Sequence, residues 1–216
     1  MESALHAGAG APGLKLIETL CWDGATLVRL SLHLARLARS ARALGWRCDV
    51  AQAEAILRAA VPVGPARMRL TQDVGGELAV ETYAFPAGKT EWRVGLGAAC
   101  LNSGDPWLTV KSTNRATYDS ARASLPRGLD EVLFRNERDE VCDGSITTVF
   151  FDRGDGLCTP PLNCGLLPGV LRAEMLAAVL DGAARISARL GYSQEPRAET
   201  VARPTPITEI TIQEDA

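Results

Sequence analysis

An α+β fold is predicted by three features of this 216-residue sequence. Two amphipathic helical stretches lie near the N-terminus, a run of short segments cut by glycine and proline turns follows, and one long apolar helical stretch comes late. In that order they describe helices packed on largely antiparallel sheet.

The elements follow from local chemistry. Residues 1–13 are rich in glycine and alanine, lack a basic patch followed by a long apolar run, and read as a flexible arm and not as a signal peptide. Residues 14–20 read as a strand leading into the turn signal of Cys21, Asp23 and Gly24. Ser31 is the expected N-cap of a helix that runs to residue 44 and stops at Gly45. Leu30, Leu34, Leu37, Ala38 and Ala41 form its apolar face, with Arg36, Arg39 and Arg42 on a basic flank. A second helix is expected over 50–60, ending near Pro62. Residues 66–71, 77–83 and 92–96 read as a small antiparallel sheet, with Gly75 and Gly76 at a hairpin turn. Residues 86–88 are a natural joint. Beyond it a helix is expected over 113–125, and strands over 132–135, 140–142, 147–152 and 157–159, with turns at 136–139 and 154–156. A final helix is expected from Gly169 to about residue 189, with Leu171, Met175, Ala178 and Val179 on one face. The chain therefore divides into an arm (1–13), a small N-terminal domain (14–95), a C-terminal domain (96–190) and an atypical polar tail (191–216).

Composition narrows the function. An apolar fraction of 46% and a charged fraction of 23% are those of a globular chain. A net charge of −3 gives no footprint for nucleic acid or an anionic membrane, and no apolar run approaches the roughly 20 residues of a membrane span. The six cysteines show no CxxC spacing and the only histidines are His6 and His33, so no metal site is expected. Without a secretion signal the thiols read as reduced, which places the protein in the cytoplasm. Of the 23 basic residues, three are lysine: Lys15, Lys89 and Lys111. Arginine cannot supply a neutral amine, so amine chemistry has three places to occur.

Some motifs fail on context. Gly8, Gly10 and Gly13 satisfy GxGxxG with no strand before them, and Gly88-Lys89-Thr90 lacks the first glycine of a P-loop, the position being Tyr83. A Ser/His/Asp triad would rest on His33, and there is no GxSxG elbow.

Three segments survive together. Residues 105–122 hold Val110-Lys111-Ser112-Thr113-Asn114-Arg115, residues 130–150 hold Val141-Cys142-Asp143-Gly144-Ser145-Ile146-Thr147-Thr148, and residues 159–172 hold Thr159-Pro160-Pro161 and Gly165-Leu166-Leu167-Pro168-Gly169-Val170-Leu171-Arg172. In order and spacing they resemble the class IV aminotransferases, the family of branched-chain and D-amino-acid transaminases and 4-amino-4-deoxychorismate lyase. Glu18-Thr19-Leu20 and His33-Leu34-Ala35-Arg36-Leu37 match its N-terminal domain, so the resemblance spans about 14–180.

The resemblance implies pyridoxal phosphate as cofactor and fold type IV, a small N-terminal α/β domain and a larger barrel-like C-terminal domain with the cofactor between them. Lys111 would carry the cofactor and then act as the base that moves the substrate proton. Asp143 would hold the ring nitrogen protonated, where the family usually has Glu. The backbone N–H groups of Val170 and Leu171, at the start of a helix, and the guanidinium of Arg36 would hold the phosphate, with Arg172 supporting the site through an ion pair. A homodimer acting on a small molecule is implied. The reaction is either transamination of an amino acid with 2-oxoglutarate or, for the lyase-like subgroup that the Leu-Pro-Gly-Val-Leu-Arg context favours, release of pyruvate from aminodeoxychorismate to give 4-aminobenzoate. Thr148 stands where the family has Asn, and the chain departs from the family after about Ala183. These departures leave one alternative, a catalytically decayed homologue acting as a binding protein.

Overall fold

A computed structural model describes residues 2–85, 91–152, 157–182 and 209–214. Its first sheet has the order β1-β2-β3, built from Lys15–Trp22, Ala66–Asp73 and Leu78–Ala84 with both pairings antiparallel. Strand alternation sends Ala66, Met68 and Leu70 into the core and Arg67 and Arg69 to the opposite face. Helices α2 (Leu30–Ala43) and α3 (Val50–Ala59) lie with the apolar face, where Leu34, Leu37, Ala53 and Leu57 join Leu16, Leu20, Met68 and Leu70 in one core. The hairpin turns at Gly76, whose φ of 87° an L-residue would resist, and Gly76 N–H donates to the Asp73 carbonyl.

Helix α2 ends as expected. Gly45 adopts φ 71°, and the Trp46 N–H reaches back 2.8 Å to the Ala41 carbonyl. Its start differs from expectation. Ser31 lies inside the helix, and the cap position belongs to Arg29 in the left-handed region. The cause is upstream: Val28 N–H still pairs with the Cys21 carbonyl at 2.8 Å, so the chain stays extended and turns abruptly at Arg29.

The N-terminal residues are not a loose arm. Glu2–Gly8 form helix α1, Leu5 and Ala9 are buried in the first core, and the Trp46 indole N–H donates to the Ala9 carbonyl at 3.1 Å. Two turns of helix are too short to display a period, so the docking was invisible in the sequence.

The third expected strand of the small sheet goes elsewhere. β4 (Val94–Leu101) pairs in parallel with β5 (Glu131–Asn136), which pairs antiparallel with β6 (Val141–Gly144). A parallel pair needs a crossover, supplied here by α4 (Ala116–Ala123). Tyr118 of α4 meets Phe134 of β5 edge-to-face at 5.0 Å, within a second core that includes Leu101, Val132, Cys142, Cys164 and Leu166. In a third sheet β7 (Thr147–Asp152) is central between β8 (Leu157–Cys158) and β9 (Glu209–Glu214). The described part of the tail is thus a strand running antiparallel from Thr147 opposite Glu214 to Asp152 opposite Glu209. Helix α5 is Val170–Gly182. Lys89, with the 88–90 motif and the joint at 86–88, lies outside the described residues, as do 183–208.

One connection positions the site. The segment 111–113 docks on the edge of β1: Ile17 N–H donates to the Lys111 carbonyl and Thr113 N–H to the Lys15 carbonyl, both at 2.9 Å. Among the described residues, no helix is long and apolar enough to cross a membrane.

Candidate active site

Lys111 follows a short 3₁₀ turn, Pro106–Thr109, capped by the Asp105 carboxylate on the Trp107 N–H at 2.9 Å. Its neighbours Val110 and Ser112 are buried while Lys111 is half-buried, so alternation aims the lysine away from the core. The side chain lines a cavity with Tyr118, Asp143, Ser145, Thr147 and Leu167. Asp143, at the end of β6, is 6% exposed, and its two oxygens accept from Gly144 N–H and Leu167 N–H, each at 3.2 Å. That second bond ties β6 to the segment that opens α5. Tyr118 reaches the same cavity, and burial together with the charge of Asp143 pushes its phenol above the ordinary range, keeping it a proton donor.

The turn between β6 and β7 is organised by a residue that the sequence reading passed over. Glu131 is fully buried and accepts from Val132 N–H (2.8 Å), Ser145 N–H (3.0 Å), Ile146 N–H (3.2 Å) and the Thr147 hydroxyl (2.9 Å), and also from the Ser145 hydroxyl. Gly144 must be glycine there, because a Cβ would meet the Thr147 hydroxyl, the Thr147 carbonyl at 2.9 Å and the Glu131 carboxylate at 3.1 Å. The available signal was an acidic residue abutting the apolar run Val132-Leu133-Phe134. Tyr118, also missed, sits on the face of α4 that packs on β5.

Arg36 lies on α2. It is 1% exposed, and Glu18 grips it through Nε at 2.9 Å and Nη2 at 2.7 Å, while His33 Nδ1 lies 2.7 Å from the same carboxylate. Arg36, Val170 and Leu171 do not line the cavity of Lys111 and Asp143. Val170 and Leu171 are buried at the first turn of α5, where backbone N–H groups lack acceptors within the helix. Helices α2 and α5 are joined by Arg29 Nε to Glu174 at 2.7 Å. Arg172, expected in an ion pair, donates to the Pro160 carbonyl at 3.2 Å.

Burial alone would raise the Glu18 carboxyl. The charge of Arg36 and the hydrogen bonds from His33 and Arg36 outweigh it and hold the group below its ordinary 4.5. A depressed carboxylate contributes stability that is present above its unfolded value and lost as pH falls through the folded one. Glu18→Gln should therefore cost about 2 kcal/mol near neutrality, with the gap to the native chain closing below about pH 4. Urea unfolding of both proteins across pH 3 to 7 checks this, and a pH-independent gap would refute it.

Comparison with known proteins bears on what this arrangement is. A family model described as amino-transferase class IV matches residues 15–187. A Schizosaccharomyces pombe protein named "Putative aminodeoxychorismate lyase" is 30% identical over 177 residues, covering 74% of this chain and 72% of the relative. The crystal structure of a "Putative amino-acid aminotransferase" from Mesorhizobium loti superposes with TM-score 0.71 at 41% identity, covering 76% of this chain and 83% of that one. An aminotransferase from Brucella abortus, solved bound to PLP, shares the fold at TM-score 0.65 and 18% identity, covering 78% and 68%.

Proposed function

The chain belongs to the class IV aminotransferases, and on that premise we propose that it carries pyridoxal phosphate on Lys111 and releases pyruvate from aminodeoxychorismate or exchanges the amino group of an amino acid. One observation carries this reading. An amine and a buried carboxylate from separate elements, Lys111 and Asp143, line a single cavity with a phenol that stays protonated. The cavity's donors fit the cofactor in part: an amine for its aldehyde and a carboxylate for its ring nitrogen line it, while the α5 N–H groups suited to its phosphate stand outside that lining.

When bound, the cofactor supplies an aldehyde for the substrate amine and a ring that withdraws electrons from the carbon bearing it. The chain's own residues do the rest. Lys111 Nζ would be the base that moves the proton away from the carbon bearing the substrate amine. Asp143, whose oxygens accept from the Leu167 and Gly144 N–H groups, would keep the ring nitrogen protonated. Val170 and Leu171 N–H would hold the phosphate, together with Arg36, whose guanidinium Glu18 fixes in orientation. The two-domain, barrel-like division, the homodimer and the cytoplasmic location belong to this same proposal; light scattering at working concentration tests the dimer.

The site itself is tested by incubation with pyridoxal phosphate, borohydride reduction and peptide mapping. A label on Lys111 is expected; labelling spread over Lys15 and Lys89 would overturn the assignment. For the reaction, 4-aminobenzoate is expected from aminodeoxychorismate, as the name of the S. pombe relative supports. Its absence beside clear exchange with 2-oxoglutarate would leave transamination. Asp143→Asn keeps the side-chain shape and one of the two acceptor oxygens and removes the charge, so turnover should fall about 100-fold with an unchanged circular dichroism spectrum. Unaltered turnover would remove Asp143 from the site. The decayed-homologue alternative rests on Asp143, Thr148 and the divergent chain end, and against it stands a cavity that keeps both amine and carboxylate.

A further inference from the structure

The segment that carries Lys111 is gripped at both ends by residues 8–15. At its start stands Trp107, in the 3₁₀ turn Pro106–Thr109. A Cβ on Gly8 of α1 would come within 2.6 Å of Trp107 Cζ2, 3.3 Å of Cε2 and 3.5 Å of Nε1. The rim of the indole thus fills the space that a side chain on Gly8 would take. At the other end stands Thr113, whose hydroxyl donates to the Gly13 carbonyl at 3.2 Å and accepts from the Lys15 N–H at 2.9 Å. Lys111 lies between the two grips.

The grip on the Trp107 side is itself anchored. Leu5 and Ala9 are buried in the first core, against which Trp107 packs. The Trp46 indole N–H donates to the Ala9 carbonyl at 3.1 Å, which fixes α1 beside the end of α2. Trp107 also lines the cavity that Lys111 and Asp143 share, and its carbonyl accepts from the Val110 N–H at 3.1 Å, one residue before the lysine. One residue therefore touches α1 and the site at once. α1 precedes residue 15, where the match to the class IV family begins, so the contact lies outside the region that defines the family.

Resting on the reading of Lys111 given above, we propose that Trp107, seated on Gly8, is a positioning residue that sets where Lys111 Nζ stands in the cavity. The fit exists only because Gly8 has no Cβ. Alanine there needs about 1 Å more room to reach ordinary carbon contact. The half-buried indole gives way before a helix whose Leu5 and Ala9 are fixed in the core. A displacement of that size near a reacting group costs up to about 100-fold. Alanine is also the better helix former, so α1 gains while the indole moves.

The test reads Lys111 in the full chain in two ways. One is the rate at which borohydride traps pyridoxal phosphate on it. The other is its trace acetylation by acetic anhydride in the cofactor-free protein, relative to the exposed Lys15. Gly8→Ala should slow trapping about 10-fold and shift the acetylation ratio at least ~3-fold, with the unfolding midpoint held or raised. Trp107→Phe lacks the indole edge that meets Gly8, and in that background Gly8→Ala should change neither reading. An unchanged acetylation ratio in Gly8→Ala, or an equal shift in the Trp107→Phe background, would overturn the proposal. A ratio that moves as expected in a protein whose Lys111 takes no cofactor label would instead strike the reading of Lys111 as the cofactor lysine and leave the positioning contact standing.

Discussion

Lys111→Ala is expected to lower turnover by at least ~10⁴-fold and to move the unfolding midpoint of the cofactor-free protein little. Proton transfer by a positioned side chain is worth about 10²- to 10⁴-fold by itself, and loss of the attachment point for the cofactor adds to it. The structural duty of this residue lies in its backbone: its carbonyl accepts from Ile17 N–H, and the flanking Val110 and Ser112 fill buried positions. Alanine keeps all three. Lys111→Arg should be as inactive as alanine, because a guanidinium stays charged at working pH and cannot act as a base. Steady-state kinetics with both variants, beside their thermal unfolding, separate these roles; retention of a tenth of native turnover in either would displace Lys111 from the chemistry.

Glu131→Ala should lower folding stability by about 4 to 5 kcal/mol, a loss large enough to depopulate the native state near physiological temperature. The carboxylate is wholly enclosed and serves three backbone N–H groups and two hydroxyls. Removing it leaves those donors without an acceptor in a place where water has no room, and each such donor costs about 1 to 3 kcal/mol. Relaxation of the turn at 144–147 recovers some of this, which is why the expected total is below the sum. Glu131→Gln keeps one acceptor oxygen and should lose roughly half as much. Urea denaturation with the slope held equal is the measurement, and a loss under about 1.5 kcal/mol for alanine would mean the turn holds itself.

The contrast between Lys111 and Glu131 explains how far the sequence could be read. Lysine scarcity and flanking motifs singled out Lys111 because its chemistry belongs to its side-chain type. β7 was legible to the residue, its apolar run being bounded by Gly144 and by the glycines at 154 and 156. Glu131 was opaque because its partners are backbone amides and hydroxyls, most of them in a turn some fifteen positions later, and nothing in residue identity marks an amide as needing an acceptor. The motif around Arg36 marked it as a candidate phosphate ligand, but its burial against Glu18 and His33 depends on α2 lying on β1, a tertiary fact. β4 was misassigned for a similar reason. Its length and composition gave a strand correctly, and only the crossover through α4 decides which sheet receives it.

The docking of residues 111–113 on the edge of β1 has a consequence for how this chain folds. The Lys15–Thr113 contact closes a loop spanning 98 positions, an entropic cost of about 4 kcal/mol before any contact within it returns free energy. Until that closure occurs, β1 keeps an unpaired edge open to other chains, and the amine has no fixed address. The lysine therefore becomes ordered only together with this long-range pairing. A cofactor that bonds only to the ordered amine binds the finished fold and not its precursors, so each molecule bound pulls the folding equilibrium forward by mass action. With the cofactor carried on Lys111 as proposed, it is also a latch, and its supply sets how much of the chain stays closed.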